Sequence, residues 1–258
     1  MKSYIKNFMK YRYLLAELIK KDIVLKYRRS YLGILWTLLE PLLTMIVLTV
    51  VFGTLFGRTD RTFPVYVLSG RLLYTFFSGS TKAAMKSIRT HSGMIKKVYV
   101  PKYIYPLASI LSNYVIFLIS LIVLVVVAAV LKIHPTIYLL QAIIPLVIIV
   151  FMTLGVGLIL CTLSVFFRDL EYLWSVALML IMYTSAIFYP AERLVKSNYG
   201  WLLDMNPLYS VILNFRNAIY GQMLDTRALI VSVGFSAVVL VIGIAMFLKN
   251  QDKFILHV

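Results

Sequence analysis

The residue types that could carry catalysis or bind a metal are few in this sequence and lie far apart. Its three histidines, His91, His134 and His257, fall in separate segments, and Cys161 is the only cysteine. Zinc sites and hydrolytic sites need histidine, cysteine or carboxylate side chains at close spacing, and the sequence has no HExxH motif, cysteine cluster or paired carboxylates. It therefore predicts no catalytic residue, no metal ligand and no cofactor in this chain.

Glycines are the next candidates for a binding site, because glycine-rich loops can bind phosphate groups. The sequence has no GxxxxGK(S/T) motif, so we expect no nucleotide-binding loop. Gly155 and Gly157 stand in a long uncharged segment, where small residues let helices approach closely. We expect this pair to serve helix packing rather than phosphate binding.

Two ionisable residues, Glu40 and Arg71, stand well inside apolar segments. Such residues are functional candidates, because a charge within a membrane is costly. Counted along two spanning helices, Glu40 lies about 12 Å and Arg71 about 18 Å from the inner face of a core roughly 30 Å thick. The two side chains could therefore pair, or both could face a water-filled path. If the second helix begins nearer to Arg71, that residue is interfacial instead.

The elements that must position these residues are long apolar helices. Of the 258 residues, 61% are hydrophobic and 14% charged, whereas soluble domains average about 45–50% and about 25%. The net charge of +16 falls between the apolar segments, which indicates membrane topology rather than nucleic-acid binding. We predict an all-α integral membrane protein, a single domain over residues 1–258. Spans one to five occupy residues 32–189, and the six spans are 32–56, 63–84, 103–131, 138–166, 172–189 and 228–248.

The lysines and arginines predict the orientation of these spans. With six spans both termini lie on one side, and most of the 26 Lys and Arg residues then fall in segments on that side. Positive residues concentrate on the cytoplasmic side of membrane proteins. We therefore expect a multi-pass protein with both termini in the cytoplasm.

Residues 1–31 are predicted to form an amphipathic helix on the cytoplasmic membrane surface. Tyr4, Phe8, Tyr11, Leu15 and Leu18 recur at spacings of three and four, as on one face of a helix. The lysines of this segment can lie toward anionic lipid headgroups. The alternative is a solvated basic tail.

Residues 87–102, between spans two and three, form a basic cytoplasmic segment with apolar side chains among the charges. A short amphipathic helix from about residue 92 to residue 99 would present a mixed apolar and basic surface that suits docking of a partner protein. The alternative is a basic interfacial loop. The residues predicted to form the docking surface are Ser92, Met94, Ile95, Lys96, Lys97, Val98 and Tyr99.

The outside segment at residues 190–227 is too polar to span and too apolar for a free loop. Non-helical backbone at membrane depth is tolerated only against protein or a water-filled cavity. We therefore predict short re-entrant helices that dip into the outer leaflet and cover the outer end of the protein.

Aromatic side chains are frequent in the spans, and those near span ends are normally interfacial anchors. Trp36 and Tyr183 lie deeper, and aromatic faces stack on sugar rings. A conduit for glycans is therefore one interpretation. The candidates for lining such a conduit are Trp36, Glu40, Phe52, Arg71, Trp174, Tyr183 and Phe188.

Four motifs follow one another along nearly the whole chain. They are Lys26-Tyr-Arg-Arg-Ser-Tyr-Leu-Gly-Ile-Leu-Trp36 with Leu39-Glu-Pro41, Ile95-Lys-Lys-Val-Tyr-Val-Pro101, Val165-Phe-Phe-Arg-Asp169, and Asn206-Pro207 with Phe215-Arg-Asn217. In this order the sequence resembles the membrane subunit of type-2 ABC exporters, especially permeases for O-antigen, teichoic acid and related polysaccharides. The residues that carry the resemblance are Arg28, Gly33, Trp36, Pro41, Pro101, Arg168, Asp169, Asn206, Pro207 and Arg216.

The resemblance implies a homodimer of this chain with two copies of a separate ABC ATPase, which would hold ATP and Mg²⁺. It also implies that residues 92–99 dock on the ATPase and that the N-terminal helix lies beside the channel entrance. Spans one and five would line the conduit, and re-entrant helices within residues 190–227 would form the outer gate. The sequence departs from the family pattern at Arg71, where an uncharged residue is more typical.

We therefore expect a non-enzymatic permease of the bacterial cytoplasmic membrane. Its cargo would be a lipid-linked polysaccharide such as O-antigen or teichoic acid, and its other partners would be membrane lipids and no nucleic acid. One alternative is a type-2 permease for drugs or small lipids. Another is a membrane-embedded enzyme of glycan assembly, which would need a cluster of polar or acidic groups near one face.

Overall fold

A computed structural model describes residues 10–28, 30–56, 60–97, 100–195, 198 and 200–254. Within these ranges the regular structure is helical, with no β-strand, so the predicted all-α class is confirmed. The helices are α1 (Arg12–Tyr27), α2 (Trp36–Phe56), α3 (Phe63–Thr90), α4 (Ser92–Ile95), α5 (Ile104–Val130), α6 (Ile143–Phe166), α7 (Leu170–Thr184), α8 (Ala191–Val195), α9 (Trp201–Met205), α10 (Pro207–Ile219) and α11 (Thr226–Asn250), with 3-10 turns at Gly33–Leu35, Ile137–Ala142 and Gln251–Lys253.

Four helical segments are long and apolar enough to cross a membrane. They correspond to predicted spans one, three, four and six, and they are Gly33–Leu55, Ile104–Val130, Ile137–Phe166 and Thr226–Lys253. These four segments support the multi-pass membrane protein that the composition predicts.

The other two predicted spans are helices that differ from a simple apolar span. Helix α3 has 28 residues and is about 42 Å long at 1.5 Å per residue, but it carries charged side chains along its length. It runs through the middle of the bundle against α2, α5 and α6, with most of its residues buried. Helix α7 has 15 residues, about 22 Å, because the chain turns after Thr184, where Ala186 has a φ of +45°.

Glycines set the distance between α6 and α11, the most extensively packed pair of helices. A Cβ atom at Gly155 would lie 2.6 Å from the backbone nitrogen of Leu240, and one at Gly243 would lie 2.5 Å from the Gly155 carbonyl oxygen. A Cβ at Gly157 would lie 2.9 Å from the side chain of Ile110 on α5. The predicted packing role of Gly155 and Gly157 is therefore confirmed.

Helix α1 packs on the end of the bundle where α3 ends and α5 begins, which we call the inner end after the orientation that the charges predict. Its Leu15 and Leu18 are buried, whereas Lys20 and Lys21 are exposed. These two leucines contact a cluster that includes Ile88 of α3 and Ile104 of α5. The predicted apolar face is therefore present at Leu15 and Leu18, while Tyr4 and Phe8 lie outside the described residues.

Helices α2 and α7 each present an apolar face to the exterior of the chain. On α2 this face includes Val47, Val50 and Leu55, and on α7 it includes Val176 and Leu180. Continuous apolar surface of this kind fits lipid or another protein chain rather than water.

Candidate functional site

The inner end carries a short helix, α4, at the position predicted for the docking surface. Met94 and Ile95 are half-buried and pack on the cluster below, while Lys96 and Lys97 are exposed. The helix spans Ser92–Ile95, so it is shorter than the predicted 92–99. Of the remaining candidates, Val98 and Tyr99 lie outside the described residues.

Residues of α1, α3 and α5 form the base on which α4 packs. His91, the residue between α3 and α4, places its Nδ1 atom 2.9 Å from the Ser87 carbonyl oxygen and stacks on Tyr105 of α5 with ring centroids 4.9 Å apart. On α1, burial raises the pKa of Asp22 above its ordinary value, and the charge of nearby His91 partly opposes that rise. The position of α4 is therefore tied to α1, α3 and α5.

The end of α11 also reaches this region. Lys102, just before α5, donates a hydrogen bond to the Gln251 carbonyl oxygen at 2.6 Å. Burial lowers the pKa of Lys102, and the charge of Asp252 partly opposes that effect. We call α4, Lys96, Lys97 and this base the inner docking corner, after the role that the sequence predicts for residues 92–99.

Beside this corner, the carboxylate of Glu171 in the first turn of α7 lies between two cations of α3. Lys86 Nζ is 2.8 Å from Glu171 Oε2, and Arg89 Nη2 pairs with the other carboxylate oxygen. Glu171 and Arg89 are both half-buried. Lys86 and Arg89 are three residues apart on α3, so their side chains lie on the same face of the helix.

Three further contacts continue from this ion pair toward the other end of α7. Trp174 donates from Nε1 to Thr81 Oγ1 at 3.1 Å, and Tyr74 donates from its hydroxyl to the Leu178 carbonyl oxygen at 3.0 Å. Arg71 Nη1 lies 3.8 Å from the Met182 sulfur. We call these contacts and the Glu171 ion pair the polar seam between α3 and α7.

A cavity of about 120 Å³ lies where the end of α1 meets α2, α3 and α5. Glu40 and Arg71 both line it, and so does Lys26. Among the described residues no ion pair joins Glu40 to Arg71, so these two residues share one cavity without pairing. Burial lowers the pKa of Lys26, while the charge of Glu40 partly opposes that effect. The other polar lining residues are Tyr27, Thr37, Thr44, Thr75, Asn113 and Ser120.

The aromatic candidates for lining a conduit occupy different environments. Trp36 is 40% exposed and Tyr183 is 55% exposed, so both face the outside of the single chain. Phe52 stacks on Phe188 with centroids 5.2 Å apart, and Phe188 is buried. The half-buried Trp174 belongs to the polar seam.

Helices α8 to α10 form an outer cap over the opposite end of the bundle, and Arg216 of α10 anchors it. The Arg216 guanidinium donates to the carbonyl oxygens of Ala186 at 3.1 Å and Tyr66 at 2.9 Å, and it lies 3.4 Å from the Tyr66 ring centroid. Gly70 makes room, since a Cβ there would lie 2.6 Å from Arg216 Nη2. One buried side chain thus joins α10 to α3 and to the turn after α7.

Two asparagines and a tyrosine complete the attachment of the outer cap. Asn206 accepts from the backbone of Leu208 at 3.0 Å, which caps α10 before Pro207, and it donates to Ser185 Oγ at 2.9 Å. Asn214 accepts from the backbone of Asp225 at 2.7 Å, immediately before α11. The Tyr220 hydroxyl donates to the Thr62 carbonyl oxygen at 3.2 Å. These contacts hold the segment against one end of the bundle.

The remaining residues of the four motifs mark turns and helix boundaries. Gly33 has a φ of +52°, which favours glycine, at the turn before α2. Pro41 lies inside α2, Pro101 precedes α5, and Arg28, Arg168 and Asp169 are exposed in turns.

Sequence reasoning missed two of the most connected side chains. Glu171 and Tyr66 were not singled out, although Glu171 is one of only ten acidic residues in the chain. An acid in the first turn of a helix is a favourable arrangement, so the scarcity and the position of Glu171 together could have marked it. Tyr66 carries no comparable signal.

Comparison with known proteins gives one family. Residues 13–220, from α1 through α10, match the ABC-2 type transporter family. The chain is 29% identical over 243 residues to the O-antigen export system permease protein RfbA of Klebsiella pneumoniae, covering 93% of each. It is 27% identical to the protein of that name from Myxococcus xanthus, covering 97% of each. It is also 25% identical to the polysialic acid transport protein KpsM of Escherichia coli, covering 91% of this chain and 92% of that protein.

Proposed function

This chain belongs to the ABC-2 type transporter family, and from that premise we propose that it is the membrane subunit of an ATP-driven exporter of a cell-surface polysaccharide. The observation that carries the proposal is similarity over at least 91% of the chain to permeases named for O-antigen export and polysialic acid transport. The cargo would be lipid-linked, and the membrane would be the bacterial cytoplasmic membrane.

The energy for export would come from a separate ATPase subunit, present in two copies and holding ATP and Mg²⁺. This chain has no phosphate-binding loop in its sequence, and its role is non-enzymatic. The ATPase would dock on the inner docking corner, where exposed Lys96 and Lys97 stand next to the apolar side chains of α4.

Two copies of the chain would form the conduit. The exposed apolar faces of α2 and α7 support this arrangement, because each can meet lipid or a second copy. Trp36 and Tyr183 are exposed on the single chain and would face the passage between the copies. Glu40 and Arg71 would supply polar groups to a water-filled path beside α2.

The topology we propose has six spans, with α3 and α7 as spans two and five and both termini in the cytoplasm. Contacts at each end of the bundle support it. At the inner end Lys102 meets Gln251, which brings the segment between α3 and α5 beside the end of α11. At the outer end Tyr220 meets Thr62, which brings the start of α3 beside the outer cap. Helices α8 to α10 would be the re-entrant helices of the outer gate.

Deletion of the gene in its source tests the proposal. We expect the surface polysaccharide to disappear and the lipid-linked polymer to accumulate in the cytoplasm, with both effects reversed by the wild-type gene. A matched control strain that lacks synthesis of the polymer should lose the surface polymer without accumulating it inside. An unchanged surface polymer after deletion would contradict the proposal.

A further inference from the structure

The polar seam joins two antiparallel helices along a single stripe of each. On α7 the participating residues are spaced by three or four positions, which places them on one helical face. The corresponding α3 residues also share one face. The α7 residues are Glu171, Trp174, Leu178 and Met182, and the α3 residues are Arg89, Lys86, Thr81, Tyr74 and Arg71.

The Glu171 ion pair is the charged contact of this seam. Hydrogen bonds between neutral groups of neighbouring membrane helices contribute little, because the separated helices find other partners. A carboxylate held by both Lys86 and Arg89 makes charge-assisted bonds, which are stronger than neutral ones. The attachment of α7 to α3 is therefore charge-assisted at its inner end.

That end adjoins the inner docking corner. Helix α3 ends at Thr90, and only His91 separates it from α4. Arg89 thus lies one residue before the end of α3, and its side chain holds Glu171. A displacement of α4 would therefore move Arg89 and, with it, the first turn of α7.

The opposite face of α7 is exposed on the single chain, so α7 can follow a movement of α3. Val176 is 67% exposed, and Tyr172 and Leu180 are also exposed on that face. Helix α7 can therefore move together with α3 without breaking contacts within this chain on its outer side.

We infer that Glu171 is a positioning residue, which transmits movement of the docking helix α4 to α7 through Lys86 and Arg89. This inference rests on the proposed function, since it takes α4 as the ATPase contact and α7 as a wall of the conduit. Glu171 itself contacts neither ATP nor the cargo. Its role is to keep the two helices moving together.

The distance between two spin labels measures whether α7 moves when ATP is added. Cysteines at Gly234 on α11 and Tyr172 on α7 suit labelling, because a Cβ at Gly234 meets nothing within 4 Å and Tyr172 is exposed. The distance between them reports movement of α7 relative to α11, which takes no part in the polar seam. The native Cys161 is buried and should remain unlabelled. The distance between the two labels is recorded in the complex with the ATPase, with and without ATP. Labelled chains are first mixed with an excess of unlabelled chains, so that most label pairs lie within one chain.

The variants are Glu171→Gln, Arg89→Glu and the charge swap that combines Glu171→Arg with Arg89→Glu. We expect Glu171→Gln to abolish the shift in distance caused by ATP, and to lower export about ten-fold, within the range typical of coupling between distant sites. ATP hydrolysis should remain within about two-fold of wild type, because the ATPase is intact. The charge swap should restore both the shift and export.

The matched control is Arg227→Gln on α11, which removes the cation from an exposed ion pair with Asp204 at 3.7 Å, at the other end of the bundle. It should leave the distance shift and export unchanged. An ATP-dependent shift that persists in Glu171→Gln would overturn the inference, and so would a charge swap that restores neither readout. The distance measurement does not depend on the cargo, so it separates failure of this inference from failure of the polysaccharide assignment.

Discussion

At the outer end of the bundle, Arg216 is a buried cation, only 4% exposed, surrounded by main-chain carbonyl oxygens. Among the described residues no carboxylate pairs with it. Its planar guanidinium reaches carbonyls of two separate segments at once, which a lysine ammonium cannot reproduce. The outer cap therefore depends on this side chain for its attachment to α3 and α7.

We predict that Arg216→Met lowers the free energy of unfolding by roughly 2–4 kcal/mol, because it leaves buried carbonyls without donors. Arg216→Lys should recover only part of that loss. The midpoint of thermal unfolding in detergent measures both effects. Arg227→Met, at a position 82% exposed, is the control and should change stability by less than about 0.5 kcal/mol. Equal stability of Arg216→Met and wild type would contradict this role.

Some residues were predictable from sequence because their type conflicted with their surroundings. Glu40 and Arg71 could be singled out because charges in apolar segments are rare, and they do line one cavity. The partners of Arg216 could not be predicted, since they are main-chain carbonyl groups, which every residue has. Glu171 and Arg89 are separated by 82 residues, so their pairing depends on how α3 and α7 are placed in the fold.

At the scale of helices, the close crossing of α6 and α11 predicts that a larger side chain at the crossing lowers stability. We predict that Gly155→Leu lowers stability by about 1–3 kcal/mol or more, because the new side chain would collide with the backbone of α11. Thermal unfolding and the yield of folded protein in membranes measure the loss. Gly234→Leu is the control, since a Cβ at Gly234 meets nothing within 4 Å. Similar behaviour of the two variants would argue against the close crossing.

Helices were predictable where hydropathy alone determines them. Helices α5, α6 and α11 lie in the predicted spans because each is a long apolar run. Helix α3 extends to Thr90, beyond the predicted end at residue 84, because its charges find partners in the polar seam and at the inner end. Helix α7 stops at Thr184, short of residue 189, because the chain turns there to meet Arg216 and Asn206.

For the whole molecule, the outer cap and the inner docking corner lie at opposite ends of α3, and the polar seam runs between them. The family match covers α1 through α10 of this arrangement. The exposed apolar faces of α2 and α7 leave room for a second copy at the side of the bundle. The docking surface and the outer gate that we propose would thus lie at opposite ends of α3.

The most direct test of the account is ATP-dependent movement of polymer across a sealed membrane. The chain and its ATPase partner are placed in inside-out vesicles that carry the lipid-linked polysaccharide on their outer surface, and a glycan-degrading enzyme is added after ATP. We predict that ATP protects the polymer from the enzyme, and that a non-hydrolysable ATP analogue does not. Polymer that remains fully accessible in the presence of ATP, in vesicles where the ATPase is active, would contradict the account.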